Sequence, residues 1–177
     1  FERGMRPADV FAGSGDFVSF IGGLVGYNYK GTIALSYASG DVSVTAGSLV
    51  ASMGGLVGSD DHGKISNSYA SGKVTGSTAN GSNGFGGLIG TGAYGVYTNV
   101  YALGDVSGRT YVGGLIGENQ GGAIVNAYAS GHAGGSTGFV GGLTGVQNNG
   151  GTTTNGYWNT TTSGNATSRS GTGRDAT

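Results

Sequence analysis

The chain has 177 residues, 42 of them glycine, with one proline, no cysteine, and eight basic against nine acidic residues for a net charge of −1. Without cysteine there is no disulfide, thiol chemistry or thiolate metal site, and charges scattered singly make no phosphate-tracking stripe, so nucleic acid is not an expected partner. Glycine without a three-residue period excludes collagen, and no run of about 18 apolar residues exists to insert into a membrane as a helix.

Residues 1–21 read as the back half of a coil. Asp9-Val10 precedes Gly22 by the distance at which Asp41-Val42 precedes Gly54, and Gly15, Phe17 and Val18 fall opposite Gly47, Leu49 and Val50. Phe1 is not an initiator methionine. The chain is expected to begin in mid-repeat, as a processed product or a piece of something longer.

From Gly22 onward one stretch recurs, Gly-Gly-Leu-x-Gly, beginning near residues 22, 54, 86, 113 and 141. A tyrosine follows each copy (Tyr37, Tyr69, Tyr101, Tyr128, Tyr157), and a small apolar residue follows four of them (Val42, Val74, Val106, Ala133). A constant block repeated at a period between about 20 and 50 residues is the signature of a solenoid or repeat array. Each coil reads as three short strands: the glycine-leucine segment, then Ile33 to Ala38 and its equivalents, then a strand centred on Val42, Val74 or Val106. Glycines at the joints (Gly26, Gly31 and Gly40 in one coil) suit turns that need positive φ.

Little supports helix, because Gly, Ser and Thr dominate and no apolar pattern repeats every 3.6 residues. The expected fold is all-β: a right-handed β-solenoid, or parallel β-helix, of about five coils plus a partial N-terminal coil. It forms a single repeat domain over 1–177, with 158–177 as a tail or cap. Stacking would align leucines (Leu24, Leu56, Leu88, Leu115, Leu143), aliphatics (Val25, Val57, Ile89, Ile116), asparagines (Asn67, Asn99, Asn126, Asn155) and the tyrosines. Alternation puts Ile33 and Tyr37 on one face and Ser36 and Ala38 on the other. Either face can be the interior; the isoleucine and tyrosine face is preferred, since stacked tyrosines more often pack than protrude.

Two phosphate-loop look-alikes dissolve into the repeat. Gly58 to Ile65 has isoleucine where a P-loop needs Ser or Thr, and Gly90 to Gly95 mimics a dinucleotide fingerprint. Both glycine pairs are repeat positions, and no helix follows to meet a phosphate. Asp60, Asp61 and His62 form the densest polar cluster. They read as an exposed, solvated turn, because the matching turns of neighbouring coils offer few further oxygen ligands. Asp9, Asp41 and Asp105 share a column that Lys73 and His132 interrupt, which leaves a paired-carboxylate glycosidase unsupported. No catalytic, cofactor-binding or metal-binding residue is assigned.

The unequal spacing points to one surface. The connection from the third-strand apolar residue to the next Gly-Gly is longer at Val10, Val42 and Val74 than at Val106 and Ala133. Insertions at equivalent points of a solenoid align on one face, often the binding face. For residues 11–20 and 43–52 a fourth strand that widens the cross-section is the preferred reading. The insert after Val74 has no apolar anchor, which makes Ser77, Thr78, Asn80, Ser82 and Asn83 candidates for a partner-binding ridge.

The unit at Gly54 to Val74, with its Gly-Gly-Leu-Val-Gly and Gly-x-Ile-x-Asn-Ser-Tyr-Ala-x-Gly-x-Val, resembles the GLUG repeat of large secreted bacterial adhesins of the filamentous-haemagglutinin type. The closing Gly156-Tyr157-Trp158-Asn159-Thr160 resembles the way such arrays finish, while Leu35 and Thr153 depart from the pattern. The resemblance implies a non-enzymatic, extracellular or cell-surface module, a rigid stalk or filament segment that presents surface contacts. Its implied partners are a glycan, extracellular matrix, a cell surface, or neighbouring copies end to end. The alternative it implies is an accessory β-helix of a carbohydrate-active or peptidase surface protein.

Overall fold

In the computed structural model, which describes residues 9–12, 17–44, 49–76 and 84–175, the chain winds through four parallel sheets, crossing each five times before its tail returns once more to the fourth. About four turns of a β-solenoid result. The first sheet contains Val10–Ala12, Val42–Val44, Val74–Thr75, Val106–Gly108 and Ala133–Gly135. The second contains Phe17–Gly22, Leu49–Gly54, Gly84–Gly86, Tyr111–Gly113 and Phe139–Gly141. The third contains Val25–Tyr29, Val57–Asp61, Ile89–Ala93, Ile116–Gln120 and Thr144–Asn148. The fourth contains Thr32–Ala34 with Tyr37–Ala38, then Lys64–Ala70, Val96–Ala102, Ala123–Ala129 and Thr152–Asn159.

Each coil therefore has four strands, where a fourth was expected only from residues 11–20 and 43–52 and three elsewhere. The extra one is the second sheet, present at every level and longest in the first two, where Phe17 pairs with Leu49 and Val18 with Val50. The repeat register holds throughout: Val10 opposes Val42, Val25 opposes Val57, and Tyr69 opposes Tyr101.

The interior is divided into two apolar columns. One lies between the first and second sheets and is built from Val42, Met53, Val74, Phe85, Val106 and Val112; the other lies between the third and fourth and contains the leucine and isoleucine ladders. Leu56, Leu88, Leu115 and Leu143 are fully buried, whereas Leu24 at the end of the row is 49% exposed, with no rung beyond it among the described residues.

Between the two columns the second and third sheets touch backbone to backbone, and this contact is what the repeated glycines allow. A Cβ on Gly54 would lie 2.1 Å from the Val57 carbonyl oxygen, and one on Gly58 would lie 2.6 Å from the Ile21 nitrogen. Both positions exclude any side chain. The expectation that joint glycines supply positive φ is corrected: the left-handed residue of the corner between third and fourth sheets is the one before the joint glycine, namely Lys30, His62 and Tyr94. Gly63 is needed for space instead, since its Cβ would meet the Asp60 carboxylate.

The C-terminal end is closed by its own tail. Trp158 stands in the column of Ala38, Ala70, Ala102 and Ala129, is nearly buried, and donates its indole N–H to the Asn165 carbonyl at 3.0 Å. A one-turn helix, Thr160–Ser163, starts on the Asn159 side chain, which accepts from the amides of Thr161 and Thr162. Thr172–Arg174 then adds a strand to the fourth sheet, and Ser168 Oγ accepts from the amides of Leu143 and Thr144 at the edge of the third.

Candidate binding face of the fourth sheet

The outer wall of the fourth sheet is shaped by one backbone feature. Asn67, Asn99, Asn126 and Asn155 all adopt left-handed φ, between 48° and 54°, and Leu35 does so at 52°. Asparagine is the side-chain-bearing residue that best tolerates this region. A left-handed residue breaks the two-residue alternation of a strand, so Ile65 points inward, Ser68 and Ala70 also point inward, and Tyr69 is turned out. The tyrosine ladder thus faces solvent, contrary to the reading that buries it with the isoleucines; the strand register inverts at the asparagine.

Outside, two parallel rows form. Each asparagine amide after Asn67 donates to the one in the preceding coil: Asn99 Nδ2 to Asn67 Oδ1, Asn126 Nδ2 to Asn99 Oδ1 and Asn155 Nδ2 to Asn126 Oδ1, all at 3.0 Å. Beside them Tyr37, Tyr69 and Tyr101 stack, with ring centroids 5.3 and 4.7 Å apart. The stack ends there. Tyr128, 38% exposed, has no aromatic neighbour among the described residues, and Tyr157 instead carries the Arg174 guanidinium 4.2 Å over its ring. Where the stack opens, a shallow groove of about 510 Å³ runs between the rows, walled by Asn99, Asn126 and Asn155 on one side and by Tyr101, Tyr128 and Tyr157 on the other. Val100 and Ala127 form its floor.

The acidic cluster is split rather than exposed as a unit. Asp60 is fully buried, which corrects the expectation of a solvated turn. It aligns with Asn28, Gly92 and Asn119 in a column of the third sheet that faces the interior. Three donors surround it: Asn28 Nδ2 at 2.5 Å, the Tyr97 hydroxyl at 3.0 Å and the Gly63 amide at 3.2 Å. Tyr97 stands in the isoleucine column and reaches into the volume left by Gly92, whose Cβ would lie 2.3 Å from the phenol oxygen. Burial pushes the Asp60 carboxyl above its ordinary pKa, although the three donors pull against it. Burial and the neighbouring Asp60 charge hold the Tyr97 phenol well above its own.

Asp61 and His62 do face outward, 2.5 Å apart between Oδ1 and Nδ1, and the His62 ring lies 5.1 Å from that of Tyr94. Three further aspartates brace the stack: Asp9 accepts from the amide of Asp41, Asp41 from Lys73 and Asp105 from His132, at 2.7 to 2.9 Å. Ser77, Thr78, Asn80, Ser82 and Asn83 lie outside the described residues. Residues 17–20 and 49–52 lie in strands of the second sheet, as the fourth-strand reading of those two connections expects.

The GLUG motif matches this chain three times, over residues 21–45, 46–75 and 108–134. These three segments are GLUG repeats. Comparison with curated proteins and with solved structures found no match. The three matched GLUG segments and the unmatched coil between them, from Gly86 to Val106, share one register, so the structure places that coil in the same array. Within the matched segments the left-handed residue ahead of the outward tyrosine is Leu35 in the first, Asn67 in the second and Asn126 in the third. Sequence reasoning found both ladders but not the groove, because no pattern of residue types announces where a tyrosine stack will part.

Proposed function

We propose that this GLUG repeat region is a non-enzymatic, extracellular structural and adhesive module, a stiff rod that displays its outer walls. The observation that supports it is where the polar side chains go. Asp60, Asn119 and the aspartates of the first corner are spent on hydrogen bonds within and between coils, and the outward side chains that repeat are uncharged tyrosine and asparagine in continuous rows. Rows of neutral side chains one coil apart, about 4.8 Å, favour contact along a surface over chemistry at a point.

Beads coated with the full chain test this. They should be retained on glycan-bearing or matrix-coated surfaces, and the chain should release neither reducing ends from polysaccharides nor new amino termini from proteins. Turnover of either kind would overturn the non-enzymatic reading. Antibody to the chain should label intact, unpermeabilised cells of the producing organism; signal only after lysis would overturn the extracellular one.

A further inference from the structure

We infer that the groove between the tyrosine and asparagine rows binds the pyranose rings of a neutral glycan chain lying along the solenoid axis. This rests on the adhesive reading above and names the place and the ligand class. The wall offers two chemistries side by side. Among the described residues the Tyr128 ring stacks on no other and the Tyr101 ring stacks only on Tyr69, and both, 38% and 37% exposed, line the groove where a ligand can reach them. An aromatic face carries negative charge density and attracts the weakly positive C–H face of a sugar ring. Opposite it, Asn99 and Asn126 each donate once and accept once along the ladder. An amide has two N–H groups and two lone pairs, so each keeps a donor and an acceptor for hydroxyl groups.

The spacing suits a polymer. Both rows repeat once per coil and run parallel, and a pyranose ring is about as long as one coil is high, so successive sugars would meet successive Tyr and Asn pairs. The lining is uncharged and its one cationic neighbour, Arg174, is held over the Tyr157 ring at one end, so a polyuronate or sulfated chain finds no counter-charge along the length of the groove. Apolar side chains of a hydrophobic peptide would cover the tyrosines and leave the second donor and acceptor of each amide unmatched, which makes it the poorer occupant.

The test is affinity electrophoresis of the full chain through gels carrying starch, mannan, a β-glucan or a galactan, with alginate as the anionic control. At least one neutral polysaccharide should retard the chain and alginate should not. Tyr128→Ala should weaken retardation about tenfold, as expected for loss of an aromatic anchor. Tyr128→Phe, which keeps the ring face, and Tyr37→Ala, which lies outside the groove, should leave it unchanged. Amide resonances perturbed by an oligosaccharide of the retarding polymer should cluster at Asn99, Tyr101, Asn126 and Tyr128 whether or not a variant folds well. Perturbation elsewhere, no retardation by any neutral polymer, retardation by alginate, or binding to a peptide matrix alone would overturn the assignment. If coated beads still adhere when Tyr128→Ala is used, the groove assignment falls while the adhesive reading stands; if native beads do not adhere, both fall.

Discussion

Leu35 holds a φ of 52° at the position where the next four coils have asparagine, and its side chain is 83% exposed. A branched apolar side chain in the left-handed region costs roughly 1 to 2 kcal/mol and here recovers nothing through burial. Leu35→Asn should relieve that strain and let the ladder extend to Asn67, raising stability by about 1 kcal/mol in denaturant melts. At Asp60 the sign of the pH effect follows from its raised pKa: the folded state holds the proton more tightly than the unfolded chain. Its contribution is complete below the ordinary carboxyl value, about 3.9, and is lost as pH rises through the folded one. The stability of Asp60→Asn relative to the native chain should therefore shift in the variant's favour between about pH 3 and pH 7. A gap that stays constant across that range would place the carboxylate in solvent.

At the scale of the strand and the tail, the cap decides whether the array stays single. Beyond Asn159 the tail pairs with the edge of the fourth sheet, satisfies the edge of the third through Ser168, and reaches the first through the Asn165 amide, which donates to the Ala133 carbonyl at 2.8 Å. Ending the chain after Asn159 should leave these edges and Trp158 uncovered. Unpaired strand edges template further pairing, so the shortened chain should self-associate in light scattering while the full chain remains monodisperse. The strands themselves were largely legible: the ladders, their register and the leading half-coil all follow from the spacing of like residues. What was not legible depends on backbone geometry that spacing does not encode. An asparagine in a strand reads as a polar position until its φ is known, and only then do Tyr69 and Ala70 exchange faces. Asp60 looked like a turn residue because Asp61 and His62 beside it are; its burial comes from partners 32 residues before and 37 after, Asn28 and Tyr97.

For the molecule as a whole, register is independent of coil length. Successive Gly-Gly pairs are separated by 32, 32, 27 and 28 residues, yet Gly22, Gly54, Gly86, Gly113 and Gly141 all pair in line. The surplus falls between the first and second sheets, and the other corners are alike except in the last coil, which carries one residue more between the third and fourth sheets. Such an array is open to unequal recombination, since a lost coil leaves complementary edges behind. The interior column makes the coils unequal in that respect. Loss of residues 54–85 would set Asn28 beside Gly92 and Tyr97, a neutral group in which the phenol still finds an amide. Loss of residues 86–112 would set Asp60 beside Asn119 and remove the hydroxyl that answers it. Length variants arising in nature should therefore shed the coil that contains Asp60 more readily than the one that contains Tyr97, so that one tyrosine in the core keeps count of the coils around it.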